Sequence, residues 1–115
     1  LIIIHKESFY LVRRPNTGIW SNLYSFPIFD TKEALDHWIN EHHCQSQSIH
    51  QGEVFNHRLS HRLLTLETFY MKLQDPNKLP VDATKCWGTQ ETQGVPRPIY
   101  KIIQRIKNDH HSSLL

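Results

Sequence analysis

The chain reads as an α+β fold: a mixed β-sheet flanked by helices. Three observations predict it. Short β-branched and aromatic runs open the chain, Leu1-Ile2-Ile3-Ile4 and Phe9-Tyr10-Leu11-Val12. A long alternating segment, Leu63 to Leu73, carries apolar groups on both faces. Two stretches, around Leu35 and around Ile102, place apolar residues at helical spacing. Strands and helices together in a chain of this size bury their apolar faces by packing helices on a sheet.

The first two runs, separated by His5-Lys6-Glu7-Ser8, predict a hairpin. Pro15, Asn16 and Gly18 break the strand pattern into a loop. Trp20, Leu23, Tyr24, Phe26, Ile28 and Phe29 follow, too much apolar surface to leave in water. The loop is therefore expected to fold back on the sheet, with Trp20, Leu23 and Phe26 in the core. Asp30, with Glu33 three residues on, predicts a capped helix start. Ala34, Leu35, Trp38 and Ile39 form its apolar stripe, and the helix is expected to end in the polar stretch 41–48.

A short strand or irregular edge is expected over 49–55. The segment Leu63 to Leu73 is the strongest strand, and its two apolar faces predict a central position. Asp75-Pro76-Asn77 is turn chemistry, and Cys86-Trp87 a short strand or turn. Pro96 and Pro98 start a last helix, where Ile99, Ile102, Ile103 and Ile106 fall on one face. The polar tail 108–115 is expected to fray, which sets a single domain over residues 1–107.

The 115 residues are 38% hydrophobic and 21% charged, the balance of an ordinary globular domain rather than a disordered one. The formal charge of +2, with nine histidines uncounted, allows an acidic partner such as DNA without requiring one. No apolar run is long enough to cross a membrane, and no signal peptide is recognisable. Cys44 and Cys86, far apart and outside any CxxC, read as idle thiols in a reducing cytoplasm. The chain has no initiator methionine and opens within a strand, so it is expected to be a piece of a longer protein.

Two segments stand out chemically. One is the loop Arg13-Arg14-Pro15-Asn16-Thr17-Gly18-Ile19-Trp20, continued by Tyr24-Ser25-Phe26-Pro27. The other is the basic turn Phe55-Asn56-His57-Arg58-Leu59-Ser60-His61-Arg62-Leu63. In the turn, Arg58 and Arg62 can engage phosphates, which positions a protein on DNA without reading its sequence. Ser60 brings a hydroxyl that both donates and accepts. His57 and His61, four apart, and the adjacent His42-His43-Cys44 do not show the recognisable spacing of three or four zinc ligands, and no metal site is expected. Ser60 and His61 are sequence neighbours that point apart in extended structure, a poor nucleophile and base pair, and no catalytic residue is assigned.

In order and spacing, these segments together resemble the C-terminal, Nudix-like domain of MutY-type adenine DNA glycosylases. Val95-Pro96-Arg97-Pro98-Ile99-Tyr100-Lys101-Ile102-Ile103 resembles that family's closing helix, so the likeness spans nearly the whole chain. The resemblance implies a Nudix-like sheet and a non-catalytic domain that senses 8-oxoguanine opposite adenine in double-stranded DNA during base excision repair. The family's Phe-Ser-His triplet maps onto Leu59, Ser60 and His61, with leucine in place of the aromatic. Leucine can still wedge between bases but gives up aromatic stacking. Ser25 stands where the family has glutamate. Arg13, Arg14, Arg58 and Arg62 are the candidates for phosphate contact.

By the same resemblance, the adenine glycosylase activity, its carboxylate base and an iron–sulfur cluster belong to an N-terminal catalytic domain, the expected partner of this one. The two cysteines here cannot supply the four thiolates of a cluster. The domain alone is expected to be inactive, without cofactor, and to work in the bacterial cytoplasm on DNA. Two other readings stay open. One is a divergent Nudix nucleotide pyrophosphatase, which needs clustered carboxylates for Mg²⁺. Asp30, Glu33, Asp36 and Glu41 are the acids available, with His37 and Trp38 where more are wanted. The other is a protein-interaction module on the same scaffold.

Overall fold

A computed structural model describes residues 1–109. Its first two strands, β1 (Ile2–His5) and β2 (Ser8–Arg13), form the predicted hairpin. Ile4 pairs with Phe9 and His5 with Ser8, so the connection is a two-residue turn with Lys6 at φ 56°. The loop that follows does return to the sheet: β3 (Tyr24–Ser25) pairs with the end of β2. Then come α1 (Lys32–Glu41), β4 (Ile49–Arg58), β5 (Leu63–Lys72), a 3-10 turn (Pro76–Lys78), β6 (Lys85–Gly88) and α2 (Arg97–Asn108). The sheet runs β3-β2-β1-β5-β4, and β6 also pairs with β2. Among the described residues, only β1 and β5 pair in parallel, Ile2 to Ile4 matching Tyr70 to Lys72.

Alternation along β1 sends its side chains to two cores. Ile2 and Ile4 join Phe9, Leu11, Phe26, Tyr70 and the α2 isoleucines. Leu1 and Ile3 join Tyr10, Met71, Leu73, Leu79 and the α1 residues Leu35 and Ile39. The sheet is thus sandwiched between the helices, as an α+β Nudix-like fold requires. Ile99, Ile102, Ile103 and Ile106 are all at most 4% exposed. Each such burial contributes about 1.5–3 kcal/mol. Trp38 is half-buried, edge-on to Phe29 and stacked on His42 at 4.0 Å.

Several expectations need correction. Thr31, not Asp30, caps α1: its hydroxyl accepts from the Ala34 N–H at 3.1 Å, so Glu33 is not in capping-box register. The edge expected over 49–55 is a full ten-residue strand, β4. It carries a bulge between Gln51 and Val54, where the Thr68 hydroxyl donates to the Glu53 carbonyl at 2.6 Å. The segment from Leu63 is central only at its far end. Leu63 to Phe69 lies beyond the β1 register and pairs only with β4, and Leu63 is 54% exposed. Leu23 is at the surface rather than in the core. Asn108 ends α2 instead of starting a tail, and residues 110–115 of that expected tail lie outside the described ones.

Candidate nucleic-acid interface

Beyond the β1 register, β4 and β5 form a two-stranded ribbon that ends in the basic turn. Asn56, His57 and Arg58 are strand residues, paired with Thr65, Leu64 and Leu63. Only Leu59 to Arg62 makes the connection, closed by the Leu59 N–H donating to the Arg62 carbonyl at 2.7 Å. Ser60 and His61 sit at its apex, both exposed. Arg58 and Arg62 are exposed beside them. No carboxylate occurs between Glu53 and Glu67, so the tip is uniformly basic and neutral.

Strand alternation divides the ribbon into two faces. Phe55, His57, Leu64 and Leu66 are half-buried on the face toward the α2 side, where Phe55 packs against the core. Leu59 is also half-buried, neither free in water nor in the core. Val54, Asn56, Arg58, Leu63, Thr65 and Glu67 face solvent, with the Thr65 hydroxyl donating to Asn56 Oδ1 at 3.1 Å.

The glycine-bearing loop meets this ribbon. The Trp20 ring lies 6.5 Å from the His57 ring at 51°. Gly18 takes φ 84°, a value that favours glycine, and Trp20 and Asn22 also adopt left-handed values of 54° and 63°. The loop is closed by the Arg14 N–H on the Leu23 carbonyl at 2.7 Å and the Asn22 N–H on the Pro15 carbonyl at 3.0 Å. Its two arginines differ in exposure. Arg13 is exposed and donates to Asn22 Oδ1 at 3.4 Å. Arg14 is half-buried, and both arginines line a cavity of about 210 Å³ that Trp38, His42 and Lys85 also border. The Arg14 Nε has no hydrogen-bond partner among the described residues.

The acids of α1 do not converge. Asp36 pairs with Lys32 at 2.8 Å and Glu41 with His37 at 3.0 Å, all on the exposed surface. Among the described residues, no three His, Cys, Asp or Glu side chains gather as a metal site. A four-thiolate cluster does not fit this domain either: Cys44 lies in the core on the α1 side and Cys86 packs on the α2 side. Burial pushes both thiols up. No described helix is long and apolar enough to cross a membrane.

The sequence reading missed Trp20 as a surface neighbour of the turn. The glycine two residues before it signalled a left-handed loop, but not which strand that loop would reach.

A mixed sheet between two helices, with a loop-and-helix insertion after β2, is the architecture of the NUDIX domain. The family's profile matches residues 1–105, and the chain belongs to that family. Its relatives narrow the class. It is 29% identical to an adenine DNA glycosylase of Buchnera aphidicola subsp. Baizongia pistaciae, over 96% of this chain and 33% of that protein. It is 26% identical to the adenine DNA glycosylase of Buchnera aphidicola subsp. Acyrthosiphon pisum, over 95% of this chain and 32% of that one. The chain thus spans about a third of the length of the curated relatives it matches. Among solved structures, the C-terminal domain of mouse MUTYH, determined in complex with human PCNA, superposes with a TM-score of 0.65. That match covers 96% of this chain and 85% of the other at 18% identity, and carries the fold alone.

Proposed function

We propose that this chain is the non-catalytic, lesion-sensing domain of an adenine DNA glycosylase, recognising 8-oxoguanine opposite adenine in base excision repair. The observation that carries the reading is the carboxylate-free tip of the β4–β5 ribbon, which presents Ser60 and His61 between Arg58 and Arg62. 8-Oxoguanine differs from guanine by a carbonyl at C8 and a proton on N7. The Ser60 hydroxyl can donate to the first or accept from the second. Leu59 wedges beside the base, and Arg58, Arg62 and Arg13 hold phosphates. Arg14, half-buried, contributes least.

The glycosidic bond of the adenine is hydrolysed elsewhere in the protein, by a domain that flips the base from the stack and holds the iron–sulfur cluster. The partners are double-stranded DNA and that catalytic domain, and the setting is the bacterial cytoplasm. The dispersed, paired acids of α1 speak against pyrophosphatase chemistry, which needs oxygen ligands gathered on Mg²⁺.

Removing this domain from the glycosylase tests the proposal. The remaining protein is expected to excise adenine while losing most of its preference for 8-oxoguanine over guanine opposite it. Undiminished preference would refute a sensing role. In parallel, the chain alone is expected to leave 8-oxo-dGTP intact with Mg²⁺. Turnover abolished by Glu33→Gln or Asp36→Asn would establish the pyrophosphatase instead.

A further inference from the structure

We infer that Trp20 and His57 form a positioning pair that fixes the pose of the Leu59–Arg62 turn. The inference rests on the reading of that turn as the lesion contact. A two-stranded ribbon without further support is marginally stable in water. Leu63 to Phe69 pairs only with β4, so nothing in the sheet itself aims the tip.

Side chains supply the aim. At the base of the ribbon, Arg105 on α2 binds Glu53 at 2.9 Å. Midway, Phe55 packs against the α2-side core. Nearest the tip, two residues before Leu59, the His57 ring meets Trp20 at 6.5 Å, within the range of a favourable aromatic pair.

Trp20 is itself held. It packs on the α2-side core, and the Leu23 N–H donates back to its carbonyl at 3.1 Å. The Tyr24 N–H then ties the loop to the Gly94 carbonyl at 2.8 Å. A bulky residue at φ 54° is a sparsely populated conformation, kept only where the surroundings over-determine it. Here those surroundings set Trp20 against the ribbon. β4 ends at Arg58 and Leu59 opens the turn one residue later, so a fixed His57 anchors the strand end from which the wedge projects.

The test uses the full glycosylase and reads the ratio of affinities for 8-oxoguanine:adenine and guanine:adenine duplexes. His57→Ala and Trp20→Ala are each expected to lower that ratio about two- to tenfold, the worth of one aromatic pair. The double variant should lose little more than either single one. His57→Phe keeps a ring in place and should keep the ratio. The salt dependence of binding should not move in any of them. His57→Ala carries the test if Trp20→Ala fails to fold. The inference is overturned if Ser60→Ala lowers the ratio and His57→Ala leaves it unchanged. It is also overturned if His57→Phe behaves as His57→Ala, because the imidazole would then touch DNA itself. If neither Ser60→Ala nor the Leu59, Ser60, His61 triple alanine variant alters the ratio, the reading of the turn fails, and the positioning role with it.

Discussion

Arg105, near the end of α2, donates to Glu53 in the bulge of β4 at 2.9 Å, joining positions 52 apart in sequence. Both side chains are more than half exposed, at 64% and 55%. Water screens such a pair, and its worth is about 0–1 kcal/mol. Arg105→Ala should therefore lower stability by less than about 1 kcal/mol, and 0.5 M salt should erase the difference. Urea titrations at two salt concentrations measure it.

The same bulge holds a tighter constraint. A Cβ at Gly52 would collide with the Tyr70 ring and crowd the Thr68 hydroxyl. Tyr70 belongs to the α2-side core and cannot withdraw freely. Gly52→Ala should cost about 1–3 kcal/mol by overpacking. A variant as stable as the parent would show that β4 slides on its partner.

Ile103 is fully buried between α2 and the sheet. Ile103→Ala should cost about 2–5 kcal/mol through lost burial and the cavity left behind. Tyr100, on the same helix and 46% exposed, should tolerate alanine within about 0.5 kcal/mol. Thermal or urea unfolding of the two variants compares them directly.

Tyr10 lies in the α1-side core and donates to the Pro80 carbonyl at 2.7 Å. Burial, then the charges of Asp82 and Cys86, raise its pKa from 10 to about 12. Between those values the unfolded chain has lost the phenolic proton and the folded chain has kept it. The stability tied to Tyr10 is complete below pH 10 and disappears as pH rises toward 12, a loss on the order of 2–3 kcal/mol. Tyr10→Phe should flatten the alkaline limb of a stability–pH curve. Burial raises Tyr70 too, so part of the slope should persist in that variant.

Local chemistry made much of the fold legible. The Leu1–Val12 runs, the isoleucine face of α2 and the stripe Leu35, Trp38, Ile39 declared themselves by period and residue type. What stayed hidden depends on tertiary context. Asp30 and Thr31 are both good cap residues, and only the path of the chain chooses between them. β4 passes through His50-Gln51-Gly52-Glu53 at a sheet edge, where a bulge interrupts the alternation that marks a strand. Leu63 and Leu66 look like core residues because ribbon faces and core faces use the same side chains. At the candidate site, the residue types of the turn were readable. Arg14 lies just past the end of β2, where its burial depends on the loop's path, and the contact of Trp20 with His57 joins segments far apart in sequence.

The charge of the tip makes a separate prediction. Arg58 and Arg62 are exposed and aimed at solvent, so each phosphate contact they make should release counterions. Arg62→Ala in the full glycosylase should weaken 8-oxoguanine and guanine duplexes alike and reduce the salt slope by about one. An arginine loss that altered only the 8-oxoguanine complex would place Arg62 on the base instead.

The central claim is that the Leu59–Arg62 turn reads the lesion, and the most direct measurement is the binding preference of the full glycosylase after the turn is altered. Ser60→Ala removes one neutral hydrogen bond, worth about 0.5–1.5 kcal/mol. It should reduce the preference for 8-oxoguanine over guanine by up to about tenfold, with affinity for the guanine duplex nearly intact. Alanine at Leu59, Ser60 and His61 together should remove more of it, again without changing the salt slope. A preference left whole in both variants would contradict the account.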